Sequence, residues 1–197
     1  MESIRVVEGT GVPLDRSDVD TDQIIPSDWL KRVERTGFGR GLFAEWRDDP
    51  DFVLNHDCYH GATILVAGPN FGTGSSREHA VWALEDYGFR AVISARFADI
   101  FRTNCTKVGL LPVQVDADVA RKLLDLVAEN PELQIEIDVQ ARRVRTADGS
   151  IDASFELDDF TQWRLLEGLD DIGLTLRHDD AIASYEAARS QLLPAVQ

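Results

Sequence analysis

The segment Asn70-Phe-Gly-Thr-Gly-Ser-Ser-Arg-Glu-His-Ala80 concentrates the groups most capable of chemistry. Gly72 and Gly74 let a ligand approach the backbone closely. Ser75 and Ser76 supply hydroxyls, and Arg77 supplies a planar cation that can hold a carboxylate through two bonds. The segment sits where an apolar run turns into a helical pattern. The unpaired N–H groups and positive dipole end of that helix would therefore face the loop, which is the chemistry of anion binding. A structural reading competes with it. Ser75-x-x-Glu78 has the spacing of a capping box, in which Ser75 only starts the helix. Two phosphate motifs fail: no Lys follows a glycine here as a P-loop needs, and Arg77 stands where a dinucleotide fingerprint needs its third Gly.

Other clusters are less specific. Asp18-x-Asp20-x-Asp22 invites a calcium loop, but Gln23 and Trp29 occupy the positions that require Gly and Glu, so turns and caps are the simpler roles. Lys31, Arg32, Arg35 and Arg40 against Glu34 form a local positive patch in a glycine-containing stretch, suited to a loop over an anionic substrate. His56, His60, His79 and His178 lack metal-ligand spacing, and His79 reads as a packed side chain. Tyr185 and the helix around Trp163 read as core and interface; Glu85 and Asp86 read as solvated.

The elements that must position these groups follow from periodicity. Ile4–Val7 reads as a short strand followed by turns, and residues 29–61 are irregular. Ala62–Ala67 and Arg90–Ala95 are short apolar runs of the kind buried on both faces in parallel sheets. The Gly68–Gly74 loop and a helix from Ser75 to Tyr87, closed by Gly88, lie between them, making a βαβ unit. A helix at about 98–107 and a strand through Leu110–Val115 follow. Asp116 to Glu129 is an amphipathic helix, with Val119, Leu123, Leu126 and Val127 on one face. Leu133, Ile135, Ile137 and Val139 alternate with polar residues. Ile151, Ala153, Phe155 and Leu157 repeat the alternation after an Asp148-Gly149 turn, and the two runs read as a hairpin. Two helices near 159–167 and 179–192 close the chain. The expected fold is a single α/β domain over residues 1–197.

Composition bounds the function. The chain has 197 residues, with 35 acidic against 20 basic side chains and a net charge of -15. That balance disfavours nucleic acid and anionic membranes, both of which need clustered Lys and Arg. No apolar run reaches the length of a membrane span, and the N-terminal residues lack the pattern of a signal peptide. Two cysteines, Cys58 and Cys105, are too few for a disulfide scaffold or for an iron–sulfur cluster held by this chain alone. A reducing cytoplasm is expected.

Taken together, Val19-Asp-Thr-Asp-Gln-Ile-Ile-Pro26, Arg35-Thr-Gly-Phe-Gly39, the 70–80 motif, Phe97-Ala-Asp-Ile-Phe101 with Asn104, Gly109-Leu-Leu-Pro112 and Gly168-Leu-Asp-Asp-Ile-Gly-Leu-Thr-Leu176 resemble the small subunits of 3-isopropylmalate dehydratase. These correspond to the swivelling fourth domain of aconitase. The resemblance implies a three-layer β/β/α swivelling domain that works with a large partner subunit. That partner would carry a [4Fe–4S] cluster, and this chain would bind no cofactor or metal. The implied reaction isomerises 2-isopropylmalate and 3-isopropylmalate through 2-isopropylmaleate in leucine biosynthesis. By match to the motif, Ser75 is the implied catalytic base, and Ser76 and Arg77 hold a carboxylate of a small dicarboxylate substrate. Thr21, Asp22 and Lys31 are the further implied contacts, with Trp29–Lys31 meeting the part of the substrate that differs among related enzymes. The family's further cleft arginine has no secure counterpart among the cations at 31–40, and Thr73 stands where the family often has Cys. Two rivals stand beside this reading. One is a hydro-lyase small subunit for homoaconitate or a methylmalate-type acid. The other is a non-catalytic anion-binding module.

Overall fold

A computed structural model describes residues 1–31 and 36–189. Seven strands form one mixed sheet: β1 (Val6–Leu14), β2 (Ile64–Ala67), β3 (Ala91–Ser94), β4 (Leu111–Gln114), β5 (Gln134–Asp138), β6 (Arg143–Thr146) and β7 (Asp152–Ser154). Their order is β4-β3-β2-β1-β5-β6-β7. The β1-to-β4 half is parallel and the β1–β5–β6–β7 half antiparallel. β1 serves both halves: its first residues pair with β5 and its last with β2. The sheet curls until its ends meet, where Gln114 bridges Glu156. Among the described residues, eight α-helices accompany it: α1 (Thr21–Ile24), α2 (Ala44–Arg47), α3 (Glu78–Tyr87), α4 (Asp99–Val108), α5 (Ala117–Glu129), α6 (Asp159–Glu167), α7 (Asp171–Leu176) and α8 (Asp179–Ala188). This is the mixed α/β architecture expected from the sequence.

Burial follows the expected periods. β2 and β3 are buried at every position, as strands covered on both faces must be. In β5 the odd residues Ile135 and Ile137 are buried and their polar neighbours face outward. α5 packs across β1, β2 and β3. It buries Ala120, Leu123, Leu124 and Val127, a face rotated slightly from the expected one, with Val119 and Leu126 at its margin.

Four expectations need correction. The first strand runs to Leu14, because Gly9, Gly11 and Pro13 hide a strand whose pairing is supplied by its neighbours. The expected hairpin of the 133–139 and 151–157 runs is a three-stranded meander, since β6, between them, pairs with both β5 and β7. The motif helix begins at Glu78, so Ser75 lies in the loop and caps nothing. The closing GLDDIGLTL stretch contains a helix of its own, α7, capped by Asp170.

The segment around 38–41 docks on α3. Phe38 is fully buried against His79 and Trp82, so His79 is a packed ring. Asp86 is exposed but not merely solvated, because its carboxylate accepts the Gly39 N–H at 2.8 Å. A Cβ on Gly39 would stand 2.8 Å from the Tyr87 backbone nitrogen, where only glycine fits. Replacing Gly39 with Ala is therefore expected to cost about 1–3 kcal/mol as an overpacking defect. Urea unfolding of Gly39→Ala beside the unaltered chain measures it; an unchanged midpoint would show that the segment moves aside freely.

Candidate active site

The parallel strands end side by side, so the loops after β1, β2 and β3 meet at one edge, as ligand sites do in open α/β sheets. Backbone bonds stitch these loops. The Val19 carbonyl accepts the Gly72 N–H at 2.8 Å and the Thr73 N–H at 3.1 Å, and the Thr73 carbonyl accepts the Thr21 N–H at 3.0 Å. Phe71 spans to the third loop, donating to the Arg96 carbonyl and accepting the Ala98 N–H. Gly72 has φ +80°, and a Cβ there would fall 2.2 Å from the Phe101 ring. Both the backbone conformation and the space demand glycine.

The three aspartates of the 18–22 run diverge to separate partners. Asp20 caps α1 in a reciprocal box with Gln23. Asp18 accepts from the Asn70 amide at 2.6 Å. Asp22 forms an ion pair with Arg77. They act as caps and braces, as their spacing suggested.

The loops enclose a cavity of about 220 Å³. One wall is Thr21 with the Gly72–Arg77 loop; the other is Ala98–Phe101, the start of α4. Ser75 and Ser76 are exposed at its mouth, and neither hydroxyl hydrogen-bonds to any described residue. Thr21 is buried, and its hydroxyl donates to the Ser75 carbonyl oxygen at 3.0 Å, fixing the serine's backbone. Asp22 holds the Arg77 guanidinium in place, leaving part of its donor fork for another acceptor. Four of the expected site residues, Thr21, Ser75, Ser76 and Arg77, line the cavity directly, and Asp22 stands behind Arg77.

Lys31 is elsewhere. It ends a short 3₁₀ turn at Ser27–Lys31, its ammonium 2.9 Å from the Asp28 carboxylate and its side chain largely exposed. Trp29 is turned onto its own chain, its ring against Gly41. Arg40 is exposed, and Arg32 and Arg35 lie outside the described residues.

The sequence reading placed nothing from 98–101 in the site. The first turn of α4 borders the cavity, and its N-cap, Ala98, has no side chain able to accept from the free N–H groups. A second helix N-terminus therefore adds its positive end to the site. The signal was present in the Phe97–Phe101 motif, but only the strand order shows that this loop adjoins 70–77. On the buried face of α4, burial pushes the Cys105 thiol well above its ordinary range, so it stays protonated. Among the described residues no three His, Cys, Asp or Glu side chains converge as metal ligands.

Comparison with known proteins agrees with this geometry. Residues 1–118 match the aconitase C-terminal domain and residues 121–159 the LeuD_N model. Residues 171–196 match the C-terminal domain of 3-isopropylmalate dehydratase small subunits. The chain is 61% identical over 197 residues to the 3-isopropylmalate dehydratase small subunit of a Nocardioides species, covering 99% of this chain and 98% of that one. It is 62% identical to the small subunit of Frankia alni, with 98% of each chain covered. It is 57% identical to that of Rubrobacter xylanophilus, with both chains covered in full. Among solved structures, 3-isopropylmalate dehydratase from Methanocaldococcus jannaschii superposes with a TM-score of 0.67 at 27% identity, over 92% of this chain and 99% of that one. With the site motif seated at the edge of this sheet and relatives aligned from end to end, the chain belongs to the family of 3-isopropylmalate dehydratase small subunits.

Proposed function

We propose that this chain supplies half of an active site that isomerises 2-isopropylmalate and 3-isopropylmalate through 2-isopropylmaleate in leucine biosynthesis. The other half comes from a large subunit, and the whole chain, 1–197, acts as one swivelling domain in a reducing cytoplasm. The observation that carries this reading is the unengaged Ser75 hydroxyl at the cavity mouth, beside an Arg77 already braced by Asp22.

Ser75 Oγ, as its alkoxide, takes the carbon-bound proton of the substrate. A serine hydroxyl is a weak base unless its anion is stabilised by donors and positive potential. The loop N–H groups, Arg77 and the uncapped start of α4 surround it with both. Arg77 and Ser76 grip one substrate carboxylate. Thr21 and Asp22 act mainly as positioning residues, the first through the Ser75 carbonyl and the second through the Arg77 guanidinium. Lewis-acid assistance to the departing hydroxyl is the chemistry that a [4Fe–4S] cluster on the large subunit supplies. The proton on Ser75 returns to carbon when water re-adds at the neighbouring position. No helix among the described residues is long and apolar enough to cross a membrane.

Anaerobic reconstitution with the large subunit, assayed on 2-isopropylmalate and on citrate, tests the function. Turnover of the first is expected; its absence from a fully assembled complex would sink the reading. Ser75→Ala is expected to lower kcat by roughly 10³-fold while assembly persists. Near-wild-type turnover would remove Ser75 from the base role. Arg77→Lys loses the planar grip and is expected to lower kcat/KM by about 10- to 100-fold. Unchanged constants would refute the carboxylate contact.

A further inference from the structure

The C-terminal helices expose apolar side chains that nothing in the described chain covers. Phe160 is 57% exposed, Trp163 37%, Ile172 71%, Leu176 62% and Tyr185 67%. α7 and α8 bury no residue at all. Helices of six and ten residues are marginal in water by themselves, since most helical stability comes from packing an apolar face. Two such helices with their apolar residues outward need a surface to pack on.

The face is not a loose tail. α6 is fixed to the body: Leu165 is fully buried and its carbonyl accepts the Ile4 N–H at 2.8 Å. The Gln162 amide donates to the Val139 carbonyl at 2.8 Å. The Arg177 guanidinium lies 5.1 Å from the Trp163 ring, and that of Arg164, whose side chain is largely buried, lies 5.8 Å from the Phe160 ring. Exposed aromatics interleaved with arginine are the composition of interface hot spots.

The face is also continuous with the site. Asp99 borders both the Ser75 cavity and a groove that runs past Arg102 and Thr103 to Phe160, Thr161 and Arg164. Whatever closes the open side of the cavity stands over Ile100, itself 54% exposed, and meets this groove next. We infer that the outer face of α6 and α7, from the Asp99 groove to Leu176, is the docking surface for the large subunit. The inference rests on the proposed function for its partner, and adds where on this chain that partner sits.

The test titrates purified, cluster-loaded large subunit with this chain under anaerobic conditions and reads the dissociation constant by calorimetry. Phe160→Asp combined with Leu176→Asp alters two exposed side chains, so the circular dichroism spectrum and Tm are expected to hold. The Kd is expected to rise about 100-fold or more. Turnover at a saturating excess of the variant is expected to match wild type, because neither residue lines the cavity. Trp163→Ser with Ile172→Ser is an independent pair that must raise Kd as well. An unchanged Kd for both pairs overturns the docking surface and leaves the proposed function standing. A wild-type chain that does not bind the large subunit overturns both. If light scattering finds the chain alone dimeric and the variants monomeric, with large-subunit affinity unaltered, a second copy covers this face and the inference falls.

Discussion

The site depends on one crossing of backbone. At Gly72 the loop after β2 passes under Phe101 so closely that no side chain fits, while its N–H and that of Thr73 both end on the Val19 carbonyl. This contact joins three loops from distant parts of the sequence around one cavity. Rearranging these loops would break the backbone bonds that join them. Ser75 follows in the same loop, its carbonyl tied to the Thr21 hydroxyl.

This constraint divides labour among the motif residues. Ser75, Ser76 and Arg77 present unengaged hydroxyls and part of a guanidinium fork to the cavity. Thr21 and Asp22 direct their polar atoms at those residues. A buried threonine hydroxyl on a carbonyl and a carboxylate on an arginine commit their hydrogen-bonding capacity to posture, which favours groups already oriented when charge develops.

Much of this was legible in the residues. Buried parallel strands such as β2 and β3 announce themselves as short apolar runs, and β5 by strict alternation. The 70–77 loop announced its anion chemistry through glycine, serine and arginine. What stayed hidden was set by partners. β6, with arginines on its exposed face, is a strand only because β5 and β7 pair with it and Glu136 and Asp152 neutralise it. The helix start moved from Ser75 to Glu78 because the loop's bonds to Val19 and Thr21 outcompete a local capping box. The α4 N-terminus joined the site through strand order, which no local pattern encodes. Lys31 shows the converse. Its charge suggested a substrate contact, yet its neighbour three residues earlier, Asp28, takes the ammonium.

The net charge of -15 opposes binding of the proposed dicarboxylate only if placement is ignored. Screening limits a surface charge to within about 8–10 Å at physiological salt. The acidic side chains therefore govern what the whole surface attracts, while the cavity answers to its own lining. That lining holds Arg77, loop N–H groups and the start of α4, with Asp22 engaged on Arg77 and Asp99 on the margin shared with the neighbouring groove. The cavity is open on one side. An open polar cavity in water binds a charged acid weakly, because the solvent competes for every donor. Closing that side with a second protein surface removes the water and strengthens each of those interactions at once. A large subunit placed there, as proposed, would supply the closure that the open cavity lacks.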